Sequence, residues 1–369
     1  MKFEPVPLSA AKGMIMGHNV AGADGRRLVR KGKPLSEDDL DALRALGRTS
    51  VYIALLEEDD VDENTAARRV AEAVCGPGLS IAGGSVGRTN LLSNKAGLLR
   101  VDVDRLTELN ECNGITLATL RNHSPVRERQ IVATIKIIPY AVPVSILSRV
   151  EAIADEGPGK LRRDGGRPIV RVDALPPHPV GMILSGSKSI QQKLVTDFSP
   201  LRKRVENLGS SVTRTDFVAL DDEADEVALA DVLGQQLASG IRLILLAGET
   251  AIMDEDDIVP RAVGRVGGHV ESTGAPVDPG NLLMLAYIGD VPVVGAPGCA
   301  RSKKINIVDW ILPRLLAGDR LTRRDIVELG HGGLLQDVPE RGMPRDMKET
   351  VSQKEVDPEP SSATVSTSG

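Results

Sequence analysis

The stretch IRLILLAGETAIMDEDDIVP, residues 241–260, decides the fold. Its first eight residues form a near-continuous apolar run ending at Gly248, and an acidic turn then leads into an apolar helical start near Ile258. A strand that is apolar on both faces belongs inside a parallel sheet with helices above and below it. The flanking sequence repeats the alternation. VGMILSG at 180–186 predicts a buried strand, and SPLRKRVENLG at 199–209 an amphipathic helix stopped by glycine. SVTRTDFVAL at 211–220 predicts a strand, and 221–240 a long helix with acids at its N-terminus, where the helix dipole favours them. HVEST and VPVVGAPG supply further strands, and INIVDWILPRLLAG at 305–318 a closing helix. The fold class is α/β, with a mostly parallel sheet spanning residues 179–318.

Smaller regions precede it. Residues 1–75 predict a small α/β unit. Ser36 caps a helix with Asp39 three residues on, Leu40, Leu43 and Leu46 recur at helical spacing, and Gly47 stops the helix. VYIAL at 51–55 follows as a strand, then a second helix from Asp62 to Val74. Residues 76–154 predict a β-rich region. ITLATL at 115–120 and QIVATIKIIPYAV at 130–142 read as strands, whereas PVSILSRVEAI at 143–153 stays open between strand and helix. GGSVG at 83–87 is a turn or inter-domain loop, because no long apolar strand leads into it; neither a Walker loop nor a Rossmann fingerprint occurs. Residues 155–178 read as a linker, 319–343 as a C-terminal extension, and 344–369, rich in Ser, Thr, Pro, Glu and Lys, as a disordered tail.

Composition narrows the function classes. Aromatics make up 2% of the 369 residues, too few for a platform on which nucleic-acid bases stack, and the net charge of −6 disfavours phosphate backbones. No nucleic-acid partner is expected. No stretch approaches the roughly 18 apolar residues of a membrane span, and the N-terminus does not read as a signal peptide. A cytoplasmic location without membrane association is expected. Cys75, Cys112 and Cys299 are odd in number and unpaired in spacing, which argues against a disulfide framework or zinc site. The five histidines are scattered and read as structural or exposed.

Ligands of open α/β sheets bind at the carboxyl ends of the strands. Three loop groups lie there. Ser185 follows the 180–184 strand. Gly248, Glu249 and Thr250 follow the 241–248 strand, with Asp254 and Asp257 three apart just before a helix. The third group joins GAPVDPGN at 274–281, containing Pro279, Gly280 and Asn281, to GAPGCARS at 295–302, containing Pro297, Gly298 and Arg301. Backbone N–H groups at a strand-to-helix turn can receive phosphate oxygens. Asp254 and Asp257 would repel phosphate but could hold a Mg²⁺ that binds it. The simpler reading, that Asp254, Asp256 and Asp257 cap the helix, stays open beside this one. Gly280 lets the backbone approach a ligand closely, and Arg301 and Lys303 could cap an anion site. The simpler readings, two ordinary turns at Pro279-Gly280 and Pro297-Gly298 and a solvated surface for Arg301 and Lys303, stay open beside these.

In this order the loops resemble the molybdopterin-binding domain shared by molybdopterin adenylyltransferases and molybdopterin molybdenumtransferases. The resemblance covers about residues 179–310 and rests on LLAGETAIMDEDD, VDPGNLLML and VVGAPGCARS. Gly248, Thr250 and Asp257 match the first motif, Pro279 and Gly280 the second, Pro297 and Gly298 the third. The sequence departs from the family in having Gly248-Glu249 for a glycine pair, Asp278 and Asn281 where molybdenumtransferases carry lysines, and Cys299-Ala300 for Asn-Pro. It is similar to a divergent branch whose members accompany or are fused to molybdenum-cofactor nucleotidyltransferases.

The resemblance implies a three-layer α/β/α domain and a homo-oligomer. It implies molybdopterin, or its adenylylated form, as ligand or substrate, with Asp254 and Asp257 as catalytic, Mg²⁺-holding residues. A nucleotidyltransferase or molybdoenzyme is the implied partner. The implied activity is adenylyl or molybdate transfer in molybdenum-cofactor biosynthesis; the alternative is a non-catalytic molybdopterin carrier or sensor.

Overall fold

The computed structural model describes residues 1–155, 168–222 and 225–335. The expected tail at 344–369, the end of the C-terminal extension and residues 156–167 of the expected linker lie outside the described residues.

A six-stranded sheet organises residues 179–295. Its strands run in the order Ser211–Ala219, Pro179–Gly186, Leu243–Gly248, Val291–Gly295, Met284–Ile288, His269–Thr273. The first four are parallel to one another; Met284–Ile288 runs against them, and His269–Thr273, antiparallel to Met284–Ile288, runs in their direction again. The sheet is thus mixed and mostly parallel. Met284–Ile288 is the strand that the sequence reading omits. It turns at Gly289 into Val291–Gly295, and this hairpin reverses the chain direction at one side of the sheet.

Side chains alternate across the pleat, so each apolar strand feeds two cores. Val180, Met182 and Leu184 pack on one face with Phe198, Leu201, Ile311 and Leu312. Ile183, Ile244 and Leu246 pack on the other with Leu229, Leu233, Val259 and Val263. Helices Ser199–Asn207 and Val308–Leu316 therefore cover the first face, and Asp225–Ala238 and Ile258–Arg265 the second.

The N-terminal unit has its own small core, in which Leu40 and Leu43 of helix Glu37–Ala45 meet Val51 and Ile53. Ser36 and Asp39 form the reciprocal capping pair that their spacing predicts. Helix Glu63–Val74, read from the sequence as part of this unit, instead buries Ala67, Val70 and Val74 in the next core, against Leu91, Leu117 and Ile135. That core also holds Leu147, Val150 and Ile153. Their spacing places them on one face of a helix, and Val144–Asp155 is helical. Of GGSVG, residues 83–85 end the strand Leu79–Ser85, and only Val86 and Gly87 form the turn of the hairpin that joins it to Arg88–Ser93. Within the expected linker, Val170–Ala174 is a strand paired antiparallel to Gly97–Val101.

Among the described residues no helix is long and apolar enough to cross a membrane.

Candidate functional site

Gly248 and Ser185 lie side by side at the carboxyl ends of adjacent parallel strands. A Cβ on Gly248 would come within 2.9 Å of Ser185 Oγ and 3.1 Å of the Thr250 carbonyl oxygen. The tightness of this turn therefore accounts for the glycine. Glu249 folds back over the first loop. Its carboxylate accepts hydrogen bonds from the Ser187 N–H at 2.9 Å and the Ser187 hydroxyl at 3.1 Å, while its own N–H donates to the Ser185 carbonyl at 2.8 Å. Where the resembled family has a second glycine, this chain has a side chain that ties two loops together. A cavity of about 160 Å³ opens beside this junction, and Ser185, Gly248, Thr250 and Asp257 contribute to its wall.

Asp257 occupies the N-cap position of helix Ile258–Arg265, but its side chain does not bond to that helix. Its Oδ2 instead accepts from the N–H groups of Met253 at 2.7 Å and Asp254 at 3.1 Å, closing the acidic loop on itself. Asp254 Oδ1 accepts from the Asp256 N–H at 2.9 Å. The capping reading is thus replaced by one in which both carboxylates shape the loop. Asp257 Oδ1 and Asp254 Oδ2 keep no protein partner among the described residues. Carboxylate oxygens are the hard donors that a Mg²⁺ takes, so these are the two atoms of the loop that could face one. Among the described residues no group of three or more His, Cys, Asp or Glu gathers as a metal cage.

Arg301 joins the third loop group to the second. Its Nη2 donates to the carbonyls of Gly248 at 2.6 Å and Glu249 at 3.2 Å, and its guanidinium lies 4.9 Å from the centre of the Phe198 ring. Its Nε is shut off from solvent without a partner among the described residues. A buried donor left in this state costs about 1–3 kcal/mol. Pro297 precedes the short 3-10 turn Gly298–Arg301, and Gly298 faces open space. Cys299 lies in this turn, where burial pushes its thiol pKa up and keeps it protonated.

The Pro279-Gly280-Asn281 turn departs from the expectation that the missing side chain of Gly280 faces a ligand. Gly280 has φ +141°, and a Cβ there would lie 2.5 Å from Ile307 Cγ2. The Ile307 N–H donates to the Pro279 carbonyl at 3.2 Å. The turn is therefore seated on the entry to helix Val308–Leu316. Asn281 is exposed, and its carbonyl accepts from the Ala275 N–H at 2.9 Å. None of these three residues lines the cavity that Ser185, Gly248, Thr250 and Asp257 share.

Sequence reasoning missed the residues that hold the third loop. Arg204 donates to the carbonyls of Ala300 and Lys304 at 3.3 and 2.8 Å and pairs with Asp309 at 2.9 Å. Asn306 is buried; its Oδ1 accepts from the Val308 N–H, and Asp309 Oδ2 accepts from the Asn306 N–H. The Asn306-x-x-Asp309 spacing across the start of the helix Val308–Leu316 is the available signal. Arg204, a hundred residues away on another helix, gave none.

A family model described as a domain of unknown function, DUF8806, matches residues 5–55, the small N-terminal unit. No curated protein matches the sequence significantly. Among solved structures, the molybdopterin biosynthesis MoeA protein from Pyrococcus horikosii aligns at 12% identity and a TM-score of 0.28, covering 86% of this chain and 75% of that one. Molybdenum cofactor biosynthesis protein B aligns at 18% identity and 0.25, covering 42% of this chain and 94% of that one. A NadC deletion mutant aligns at 10% identity and 0.15, covering 55% and 80%. The functional reading therefore rests on this chain's own motifs and geometry.

Proposed function

We propose that residues 179–318 form a three-layer α/β/α molybdopterin-binding domain, and that the protein acts on molybdopterin or its adenylylated form in molybdenum-cofactor biosynthesis. The observation that carries the reading is convergence. Gly248, Thr250 and Asp257, taken from one loop on motif grounds, and Ser185, taken from the end of the adjacent strand, line one cavity, and Arg301 from a third loop closes on its edge. The cavity has room for a phosphate-sized group rather than a whole pterin, so the ring system would extend over the rim. The hydroxyls of Ser185 and Thr250 are the donors for that group. Asp254 and Asp257 would hold Mg²⁺ through their free oxygens, and the ion would supply charge neutralisation to a phosphoanhydride. Pro297 and Gly298 carry Arg301 to that edge in this reading, whereas Pro279, Gly280 and Asn281 would reach only the part of the ligand that extends beyond the cavity.

The use of Asp257 in closing its own loop, and of Glu249 in tying down Ser187, favours the carrier reading over adenylyl or molybdate transfer. A cytoplasmic homo-oligomer with a cofactor nucleotidyltransferase or a molybdoenzyme as partner completes the proposal. Calorimetric titration of the purified protein with molybdopterin, with and without Mg²⁺ and ATP, tests it. Saturable binding weakened at least tenfold by Thr250→Ala or Arg301→Ala is expected. Turnover with ATP or molybdate would restore the transferase reading, and absence of binding would end both.

A further inference from the structure

A cavity of about 1020 Å³ lies away from the strand ends. It lies between the β-rich region and the outer side of helix Val308–Leu316. One wall is the loop that carries Arg121 and His123, and the other carries Trp310 and Lys303. Clefts between domains are preferred sites for small molecules, and this volume is at the top of their usual range of roughly 300–1,000 Å³.

Both walls are held in place. The Arg121 loop is fastened by the His123 N–H donating to the Leu99 carbonyl at 2.9 Å and the Leu99 N–H donating to the Ser124 carbonyl at 2.9 Å. Asn122 Oδ1 accepts from the Val101 N–H at 3.0 Å. The backbone of His123 is held at φ +65°, a conformation uncommon outside glycine. Across the domains, Arg100 forms a two-pronged pair with Asp319 at 2.6 and 2.7 Å, and Arg314 reaches the same carboxylate at 3.0 Å. The cleft is therefore preformed.

Its chemistry is specific. The Arg121 guanidinium lies 4.2 Å from the centre of the Trp310 ring, and Arg121 is exposed. Among the described residues no carboxylate pairs with Arg121 or with Lys303, whereas Arg204 and Arg314 in the same cleft are each neutralised by aspartate. Burial, and after it the charges of Arg314 and Arg100, hold the His123 pKa down to about 4, so its ring is neutral at pH 7. A guanidinium already stacked on an indole offers its other face to a flat ring. Lys303 offers a point charge to an acid group. Leu120 and Ile305 supply apolar wall.

We infer that this inter-domain cleft is a second small-molecule site, separate from the strand-end loops, that takes a flat heteroaromatic ring bearing a phosphate, a ligand of mononucleotide size. The flat ring layers on Arg121 and Trp310, and the phosphate meets Lys303. The inference does not depend on what the strand-end loops bind.

Trp310 is the only tryptophan of the chain, so its emission reports the cleft directly. Adenosine 5′-monophosphate and guanosine 5′-monophosphate are titrated into the full-length protein, followed by Trp310 fluorescence and by calorimetry. Adenosine and inorganic phosphate serve as the ring-only and charge-only arms. Saturable binding of a mononucleotide with a change in Trp310 emission is expected, with at least tenfold weakening in Arg121→Gln and in Lys303→Gln, and no change in Thr250→Ala. Both substituted side chains carry little of the fold, and urea midpoints check that the variants remain folded. The inference is overturned if no mononucleotide binds at millimolar concentration, or if adenosine or phosphate alone binds as tightly. It is equally overturned if Thr250→Ala, rather than the cleft variants, abolishes binding.

Discussion

Replacing Gly280 by alanine should destabilise the sheet domain through one contact. The added Cβ would sit 2.5 Å from Ile307 Cγ2, 2.7 Å from Ile307 Cβ and 3.2 Å from Ile307 N. Carbon atoms pack at about 3.5–4.0 Å, so relief needs a shift of about 1 Å. Ile307 has little freedom to give it, being fully buried and holding the Pro279 carbonyl through its own N–H. Overpacking of a fixed core costs about 1–3 kcal/mol, and a side chain at positive φ adds about 1 kcal/mol. The expected loss is therefore about 2–4 kcal/mol. Gly298 in the neighbouring turn faces open space at ordinary φ, and Gly298→Ala should stay within about 0.5 kcal/mol. Urea unfolding followed by Trp310 emission measures both, since that residue belongs to this domain. The reasoning is checked further by a cycle with Ile307→Ala. That change alone costs about 2–5 kcal/mol, but it should recover about 1–3 kcal/mol when combined with Gly280→Ala. A Gly280→Ala protein as stable as the parent, or strictly additive losses in the cycle, would refute the account.

Other outcomes follow from the same geometry. Asp257→Asn should leave stability nearly unchanged, because an amide oxygen can still accept from Met253 and Asp254. Asp257→Ala should lose about 1–2 kcal/mol in urea titration, and equal losses in the two variants would show that the loop does not need the acceptor. His123 titrates lower in the fold, at about 4, than its ordinary 6.5. The folded state thus binds fewer protons than the unfolded one between these values, and stability should be complete above pH 6.5 and fall toward pH 4. His123→Phe should flatten that slope, and an unchanged slope would count against a buried neutral ring. Burial raises the Asp319 pKa, but hydrogen bonds from Arg100 and Arg314 outweigh it and hold it below the usual value of 3.8. Its contribution is present above that pH and lost as pH falls further, and Asp319→Asn should remove this acid-sensitive step from the unfolding profile.

What the sequence made legible divides along a physical line. Local signals survived: the Ser36–Asp39 cap, the apolar run ending at Gly248, and the helix from Asp225 with its leading acids all depend on residues within one or two turns of each other. So did the grouping of Ser185, Gly248, Thr250 and Asp257, since parallel strands of similar length bring their following loops to one end of the sheet. What stayed hidden were partnerships across sequence distance. The glycine at 280 looked like a ligand contact because Ile307 is invisible to a reading of the turn alone. Helix Glu63–Val74 has apolar residues at the right spacing for either neighbouring core, and only the facing strands, Leu79–Ser85 and Arg88–Ser93 among them, decide between the two. The cleft is the strongest case. Arg121 and Trp310 stand 189 positions apart, Arg100 and Asp319 219. Each alone reads as an ordinary surface residue, and only their placement across two cores makes a site.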